Sequence, residues 1–187
     1  MPVENEDKYV LALDRAEALR EILAAAGHPC LLIDQFYLLP QVRYRRTRRL
    51  DRPGDPPGHE FTFKQAIDGR LLEQAFPVPE EDYALASRAA VSALHKARFS
   101  LPDAEPGAHW DVDFLLDGPA ERGGGLIFAI AECEYPEGGR HGMPDVLRGH
   151  VALAVPREHS PLFSNARLSE PGYAATVLER YLGGWRG

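Results

Sequence analysis

The sequence predicts an α+β protein built on antiparallel β-strands. Several segments alternate apolar and charged residues with the period of a strand, helical patterns occur at three separate places, and no regular strand-helix-strand alternation connects them. With 187 residues and 44% hydrophobic content, the chain is long enough for one compact core. We therefore assign residues 1–187 to a single domain.

Three helices are predicted from apolar residues at helical spacing. In the first, DRAEALREILAAAG, Asp14 is a possible N-cap and Gly27 a C-terminal stop. The second, PEEDYALASRAAVSAL, begins with acidic residues in its first turn. The third covers about residues 169–183 and ends at Gly183. The segment RTRRLDRPGDPPGH is predicted to be a Pro/Gly-rich connection between two strands.

The predicted strands share one property, which is that each has an apolar face and a charged face. In VRYRR, Arg43 and Arg45 lie opposite Val42 and Tyr44. The charged faces of the other strands carry Lys64, Glu73, Lys96, Arg98, Asp111 and Asp113. A solvated sheet face explains any one such strand. Basic and acidic residues nevertheless segregate by strand, which favours a barrel with the charged faces inward and a polar tunnel.

The stretch GGLIFAIAECEYPEGG carries two acidic residues in an otherwise apolar strand. Glu132 and Glu134 point to one side of this strand and Cys133 to the other. Two neighbouring anions are unfavourable in a poorly solvated site unless a cation or several donors compensate them. The alternative is a strand end in solvent. Cys133 is expected to be an inert core thiol.

Composition excludes several classes of partner and site. A net charge of −7 argues against binding of nucleic acid, and no apolar run approaches the about 18 residues of a membrane span. Cys30 and Cys133 have neither disulfide nor metal-ligand spacing, which predicts free thiols and a cytoplasmic location. The seven histidines show no paired ligand spacing.

Seven motifs follow one another in an order that resembles a known family. VENEDKYVL contains Glu4, Glu6 and Lys8 in E-x-E-x-K order, and it is followed by QFYLLP, VRYRR, FTFK, KARFSL, WDVDF and GLIFAIAECEYP, with LFSNARLS near the end. Over about residues 3–169 this succession resembles the CYTH superfamily, the triphosphate tunnel metalloenzymes. The sequence departs from that pattern at Ala75 and near His150, where the family often has acidic residues.

The resemblance implies an antiparallel eight-stranded β-barrel, the triphosphate tunnel, with flanking helices. It also implies a Mg²⁺ or Mn²⁺ cofactor and two groups of site residues. The phosphate-binding residues would be Lys8, Arg43, Arg45, Lys64, Lys96 and Arg98. The metal ligands would be Glu4, Glu6, Glu73, Asp111, Asp113, Glu132 and Glu134. Arg43, Arg45, Lys64 and Arg98 would also stabilise developing charge during catalysis. Lys8 and Tyr37 are candidates for proton handling, and the alternatives are a plain phosphate contact for Lys8 and a structural role for Tyr37.

The expected activity is metal-dependent hydrolysis of a small triphosphate, with inorganic triphosphate as the first choice. The same family includes class IV adenylate cyclases, thiamine triphosphatases and RNA triphosphatases, which remain alternatives. A polyphosphate-binding module without catalysis is an alternative from a different class. No nucleic-acid or membrane partner is expected, and a homodimer is left open.

Overall fold

The computed structural model describes residues 4–67 and 70–184, without the side chains of Glu4, residues 66–67, 70–71, 180 and 182–184. The strands are β1 (Glu4–Leu11), β2 (Cys30–Leu39), β3 (Val42–Arg49), β4 (Gly58–Ile67), β5 (Arg70–Pro77), β6 (Ser92–Pro102), β7 (His109–Leu116), β8 (Leu126–Pro136) and β9 (Val151–Val155). The helices are α1 (Leu13–Ala25), α2 (Glu80–Arg88), α3 (Asp145–Arg148), α4 (Asn165–Leu168) and α5 (Tyr173–Gly184). Two 3₁₀ segments cover Ala120–Arg122 and Arg157–Phe163. The predicted α+β class is confirmed.

All nine strands form one antiparallel sheet, in the order β5-β4-β3-β2-β6-β7-β8-β1-β9. The sheet is open, since the described residues of β5 and β9 pair with one neighbour each. The predicted closed eight-stranded barrel is therefore wrong. Residue alternation sets the direction of each side chain, whereas closure requires hydrogen bonds between the two edge strands. The additional strand β9 has only five residues and pairs with β1.

The open sheet is nevertheless strongly curved. Lys64 of β4, the second strand in the sheet, and Lys8 of β1, the eighth, line the same cavity. In a flat sheet, six steps of about 4.8 Å would separate these strands by about 29 Å. The surface that carries both residues is therefore concave.

We call this concave surface the polar face. Alternating positions of neighbouring strands supply it, as the residue pairs across the strands require. Its described side chains include Glu6, Lys8, Gln35, Tyr37, Arg43, Arg45, Glu60, Thr62, Lys64, Glu73, Lys96, Arg98, Asp111, Asp113, Glu132 and Glu134. The predicted division of the strands into charged and apolar faces is confirmed.

Two apolar clusters hold the sheet. On the face opposite to the polar face, α1 packs Leu19 and Leu23 into a cluster with Trp110, Phe114 and Cys133. The second cluster contains Val10, Ile130, Phe163, Leu168 and Val177. Val10 lies two positions after Lys8, and Ile130 lies two positions before Glu132, so both belong to the concave side of the sheet. The C-terminal helices therefore cover one end of the concave surface.

The helix boundaries differ from the predicted ones in three places. Ala12, rather than Asp14, is the N-cap of α1, and its N–H donates to the His150 carbonyl over 2.7 Å. Gly27 follows the helix end with a positive φ of 74°, as expected of a stop. Helix α2 ends at Arg88 because β6 begins at Ser92 and pairs with β2. Helix α5 begins at Tyr173, not at residue 169.

The predicted Pro/Gly-rich connection is shorter than expected, because β3 extends to Arg49 and β4 begins at Gly58. None of the described helices has the length and apolar character needed to cross a membrane.

Candidate functional site

The polar face brings most of the predicted site residues onto one surface. Across neighbouring strands, Lys8 lies opposite Glu132 and Glu6 opposite Glu134. The same registers pair a cation with an anion twice more, Arg98 with Asp113 and Lys64 with Glu73, and they place the two anions Asp111 and Glu132 opposite each other. The side chain of Glu4 lies outside the described residues. Along the sheet, the basic residues of β4, β3 and β6 therefore lie on one side of the acidic strands β7 and β8.

Asp113 is the centre of a buried ion network. Its side chain is fully buried, and it accepts hydrogen bonds from Lys96 Nζ at 2.5 Å and from Arg98 Nε at 2.6 Å. Arg98 also pairs with Asp111 and lies 3.6 Å from Glu132. Burial alone would raise the pKa of Asp113, but the charges of Arg98 and Lys96 outweigh it and hold that pKa well below its usual range. This part of the predicted phosphate clamp is internally neutralised.

Lys8 occupies a second buried ion cluster. Its Nζ donates to Glu6 at 2.8 Å and to Glu132, and the side chain of Lys8 is 5% exposed. Burial lowers the pKa of Lys8, but the two carboxylates outweigh burial and raise that pKa above its ordinary value. Lys8 is therefore a permanent cation at neutral pH.

Arg43 and Arg45 of β3 have hydrogen-bond donors without an acceptor in the part of the chain that the structure describes. Arg43 donates to Thr62 Oγ1 at 3.2 Å, and Arg45 donates to Glu60 at 2.7 Å. The Nε groups of both arginines are buried and have no partner within residues 4–67 and 70–184. Burial, together with the neighbouring Arg43 charge, lowers the pKa of Arg45. An oxyanion between these side chains would satisfy both donors and offset the repulsion.

A cavity of about 570 Å³ opens onto the polar face. Among the predicted residues, its walls contain Glu6, Lys8, Tyr37, Arg43 and Lys64. The opposite wall comes from the 3₁₀ segment and α4, and includes Arg157, Ser160, Ser164 and Asn165. The volume and the mixed polar lining suit a small charged ligand.

Of the predicted phosphate-binding residues, Arg45, Lys96 and Arg98 are not part of the cavity wall. Lys96 is 3% exposed and is not part of the cavity wall, because its Nζ is held by Asp113 and by Asn165 Oδ1 at 3.0 Å. Lys96 therefore contributes to the site through its hydrogen bonds to Asp113 and Asn165 and not by lining the cavity. Tyr37 lines the cavity, and its hydroxyl accepts a hydrogen bond from Gln35 at 2.9 Å. Burial raises the pKa of Tyr37 to about 12, so this phenol is a proton donor rather than a base at neutral pH.

The predicted metal ligands fall into three groups. Glu132 and Asp113 already neutralise buried cations, whereas Glu73 lies on β5 and pairs with Lys64 at 2.7 Å. Glu6 and Glu134 lie opposite each other. Burial raises the pKa of Glu134, and the charges of Glu6 and Asp111 raise it further. Lys8 donates to Glu6, and His109 Nε2 lies 3.4 Å from Glu134 Oε2, so the negative charge of this pair is partly compensated.

A divalent cation fits best at this pair of glutamates. No three potential ligand atoms of the polar face meet within 4.8 Å among the described residues. Mg²⁺, however, commonly uses one or two carboxylates and takes its remaining ligands from water and phosphate. Glu6 and Glu134, with Asp111 beside them, suit such a site. The roles of Glu4, Glu73, Asp113 and Glu132 as ligands stay predictions.

Sequence reasoning did not identify three residues of this site. Glu60 pairs with Arg45, Asn165 joins Lys96 to the cavity wall, and Arg157 reaches the cavity from the segment after β9. Asn165 belongs to the late LFSNARLS motif, which was a usable signal. No sequence signal pointed to Arg157, because only the tertiary fold brings its segment over the sheet.

Ala75 and His150 mark the two departures from the family pattern, and the structure shows where each of them lies. Ala75 of β5 is exposed and pairs with Thr62, on the face that carries Glu73. His150 precedes β9, and its Nδ1 lies 3.0 Å from the Val146 carbonyl oxygen. Neither position adds an acidic group to the polar face.

Lys96 gives the protein a measurable pH dependence. Burial and the neighbouring Arg98 lower the pKa of Lys96 from 10.5 to about 8, against the opposing effect of Asp113. Between these two values the unfolded chain binds a proton that the folded protein lacks, so stability from this group rises with pH. The free energy of unfolding of the wild type, relative to Lys96→Met, should therefore increase between about pH 8 and pH 10. Urea titrations at each pH measure it, and a constant difference would contradict the expectation.

Comparison with solved structures gives low similarities. The chain is similar to the PH1819 protein from Pyrococcus horikoshii OT3, with 17% identity, a TM-score of 0.47, and coverage of 97% of this chain and 89% of that one. The PH1012 protein of the same organism has 17% identity, a TM-score of 0.43, and coverage of 73% and 83%. A chain of the Schizosaccharomyces pombe Mediator head module has 10% identity, a TM-score of 0.48, and coverage of 97% and 95%. With every TM-score below 0.5, no argument rests on these likenesses. No protein-family model and no curated protein matches the chain.

Proposed function

We propose that the polar face binds a small linear triphosphate and, with Mg²⁺ or Mn²⁺, hydrolyses it. The observation that carries this proposal is the cavity of about 570 Å³ in which Lys8, Arg43 and Lys64 converge with Glu6. The unpartnered Nε groups of Arg43 and Arg45 support it, because buried donors without acceptors favour an incoming oxyanion. The resemblance to the triphosphate tunnel metalloenzymes points to the same chemistry.

The side chains of the polar face have different roles in this proposal. Arg43, Arg45 and Lys64 contact the phosphoryl oxygens and hold the chain of phosphates in line. Lys8 is kept protonated by Glu6 and Glu132, and it stabilises the charge that develops as the terminal phosphoryl group is transferred. A water oxygen bonds to the terminal phosphorus while the bridging P–O bond breaks, which gives phosphate and diphosphate from inorganic triphosphate. Glu6 and Glu134 would hold the divalent metal, which would supply Lewis-acid polarisation of the phosphoryl oxygens.

Anion binding tests the first half of the proposal. Triphosphate should raise the melting temperature of the wild type, since a ligand at 100 times its Kd stabilises the native state by about 2.7 kcal/mol. Arg43→Ala combined with Arg45→Ala should abolish this shift, because both side chains lie on the polar face. The shift is measured by thermal denaturation with and without triphosphate.

The same strand offers a matched control. Arg46 and Arg48 lie on the opposite face of β3, where Arg46 donates to Asp34 at 2.5 Å and both arginines pair with Glu121. Arg46→Ala combined with Arg48→Ala removes the same charge and should keep the wild-type shift. If the Arg43 and Arg45 double variant kept its shift, the triphosphate would bind elsewhere.

A polyphosphate-binding module without catalysis is the second candidate function. Its specific support is the neutralisation of Glu132, Asp111 and Asp113 by Lys8, Arg98 and Lys96, which leaves fewer free oxygens for a metal. Phosphate release from inorganic triphosphate, nucleoside triphosphates, thiamine triphosphate and polyphosphate decides between the two. Each substrate is tested with Mg²⁺, with Mn²⁺ and with a chelator. Chelator-sensitive release supports the hydrolase, and tight binding without release supports the module.

A further inference from the structure

A second group of potential ligands lies on the face of the sheet opposite to the polar face. Asp103 lies between β6 and β7, Cys133 on β8 and His141 between β8 and α3. One ligand atom from each lies within 4.8 Å of the other two, and no other group of three in residues 4–67 and 70–184 does so. We call these three residues the Cys133 cluster.

The imidazole of His141 is oriented for coordination through Nδ1. Its Nε2 lies 2.9 Å from Asp7 Oδ2, so the ring N–H that points to Asp7 is the one on Nε2. The lone pair is then on Nδ1, which is buried and has no partner among the described residues. Metal-bound histidines commonly donate their other ring N–H to a carboxylate in this way.

Asp7 is itself fixed as an anion. It accepts hydrogen bonds from Tyr135 Oη at 2.9 Å and from Arg157 Nε at 3.2 Å. Burial would raise the pKa of Asp7, but the hydrogen bonds from His141 and Tyr135 and the charge of Arg157 lower it below its ordinary value. The orientation of the imidazole is therefore held by a charged acceptor.

The other two ligands are also held in place. The Asp103 carboxylate accepts from Trp110 Nε1 at 2.7 Å and from the backbone N–H groups of Glu105 and Gly142 at 2.8 and 3.1 Å. Three donors leave about one of its four acceptor positions open. The side chain of Cys133 is fully buried, and Trp110 and Tyr135 contact the His141 ring at centroid distances of 5.4 and 4.8 Å. The cluster is therefore enclosed by aromatic rings.

We propose that Asp103, Cys133 and His141 form a binding site for a thiophilic divalent cation of the Zn²⁺ class. Nitrogen, sulfur and oxygen ligands in one group suit Zn²⁺, whereas Mg²⁺ prefers oxygen alone. Tetrahedral zinc ligands lie roughly 3.3–3.8 Å apart, so the three atoms, which lie within 4.8 Å of one another, need to approach by at most about 1.5 Å. The fourth position is left to water or to an added ligand.

Binding converts the Cys133 thiol to a thiolate, and the S–H proton leaves to solvent. The release of this proton can be measured. This site is distinct from the proposed metal site at Glu6 and Glu134, because the two lie on opposite faces of the sheet and use different ligand chemistry.

Co²⁺ is the probe, because its thiolate complexes absorb in the near ultraviolet and carboxylate complexes do not. Chelator-treated full-length protein is titrated with Co²⁺, and the release of protons to a weak buffer is recorded in parallel. The wild type should bind about one equivalent with a thiolate band and release a proton, and Zn²⁺ should displace the Co²⁺. Cys133→Ser should lose the band, and Asp7→Asn should weaken Co²⁺ binding roughly tenfold or more.

Cys30→Ser is the matched control, since Cys30 is the other buried free thiol and lies outside the cluster. It should keep the band. If Cys133→Ser does not fold, His141→Gln gives the same test, because removing Nδ1 should lower Co²⁺ affinity while circular dichroism reports an intact fold. The proposal is overturned if saturating Co²⁺ gives no thiolate band in the wild type. It is equally overturned if the band or the affinity is unchanged in the Cys133, His141 and Asp7 variants.

Discussion

Asp113→Asn should destabilise the protein by about 3–5 kcal/mol, because it removes the anion between two buried cations. Asp113 is fully buried, and Lys96 and Arg98 both donate to it. Asparagine keeps the shape but cannot neutralise these charges, and Asp111 and the more distant Glu132 then face Arg98. Urea denaturation of wild type and variant measures the change.

A second substitution identifies the cause. Adding Lys96→Met to Asp113→Asn removes one of the two stranded cations and should recover part of the lost stability, since apolar replacements of buried ion pairs are often well tolerated. Asp145→Asn is the matched control, because the carboxylate of Asp145 is 94% exposed and its pair with Arg148 contributes at most about 1 kcal/mol. A loss below about 1 kcal/mol in Asp113→Asn would mean that the ion network does not stabilise the fold.

Glu134→Gln should lower metal-dependent phosphate release by about a hundredfold or more, if Glu134 holds the catalytic metal. Glutamine keeps the size of the side chain and removes the negative charge that lies near those of Glu6 and Asp111. Triphosphate affinity without metal should not fall, since Arg43, Arg45 and Lys64 remain and one repulsive anion is gone. Phosphate release is measured as a function of Mn²⁺ concentration, and high Mn²⁺ should partly restore the rate.

Glu132→Gln and Glu137→Gln complete this series. Glu132→Gln should also lower turnover, but through the loss of the Lys8 partner, so excess Mn²⁺ should restore less activity than in Glu134→Gln. Glu137 lies beyond the end of β8 and is exposed, and its variant should behave as the wild type. Wild-type turnover in both Glu132→Gln and Glu134→Gln would show that the two carboxylates do not serve the reaction.

The faces of the strands could be predicted because side-chain direction alternates with every residue. Arg43 and Arg45, Lys96 and Arg98, and Asp111 and Asp113 were each assigned to one face from this period alone. The same local rule carries no information about sheet edges. Whether β5 and β9 meet depends on curvature accumulated over nine strands, so the predicted closure was wrong.

The helix ends were missed where tertiary pairing decided them. The run from Arg88 to Leu94 continues an alanine-rich helical pattern, yet Ser92 and Leu94 belong to β6. Val91 donates its N–H to the Tyr37 carbonyl over 2.8 Å, which joins this turn to β2. Local propensity is a weak guide where a strand partner is available.

The Cys133 cluster could not have been read from spacing. Asp103, Cys133 and His141 come from three different segments, and the sequence contains no metal motif among them. The predicted core position of Cys133 followed correctly from its apolar face, since Cys133 is fully buried in the cluster around Trp110. The expected inertness of this thiol stays a prediction, and the metal site proposed above would contradict it. Only the path of the two loops over that face brings the imidazole and the carboxylate to it.

The alternation along β8 also protects the strand register. Glu132 and Glu134 belong to the polar face, whereas Cys133 belongs to the apolar cluster behind the sheet. Sliding β8 by one residue against β1 and β7 would turn Glu132 toward Trp110 and leave Lys8 without its anion. Such a slip would strand a charge on each side of the sheet at once. The buried ions therefore disfavour misaligned pairing of these strands during folding, even where the apolar residues of the misaligned strands match.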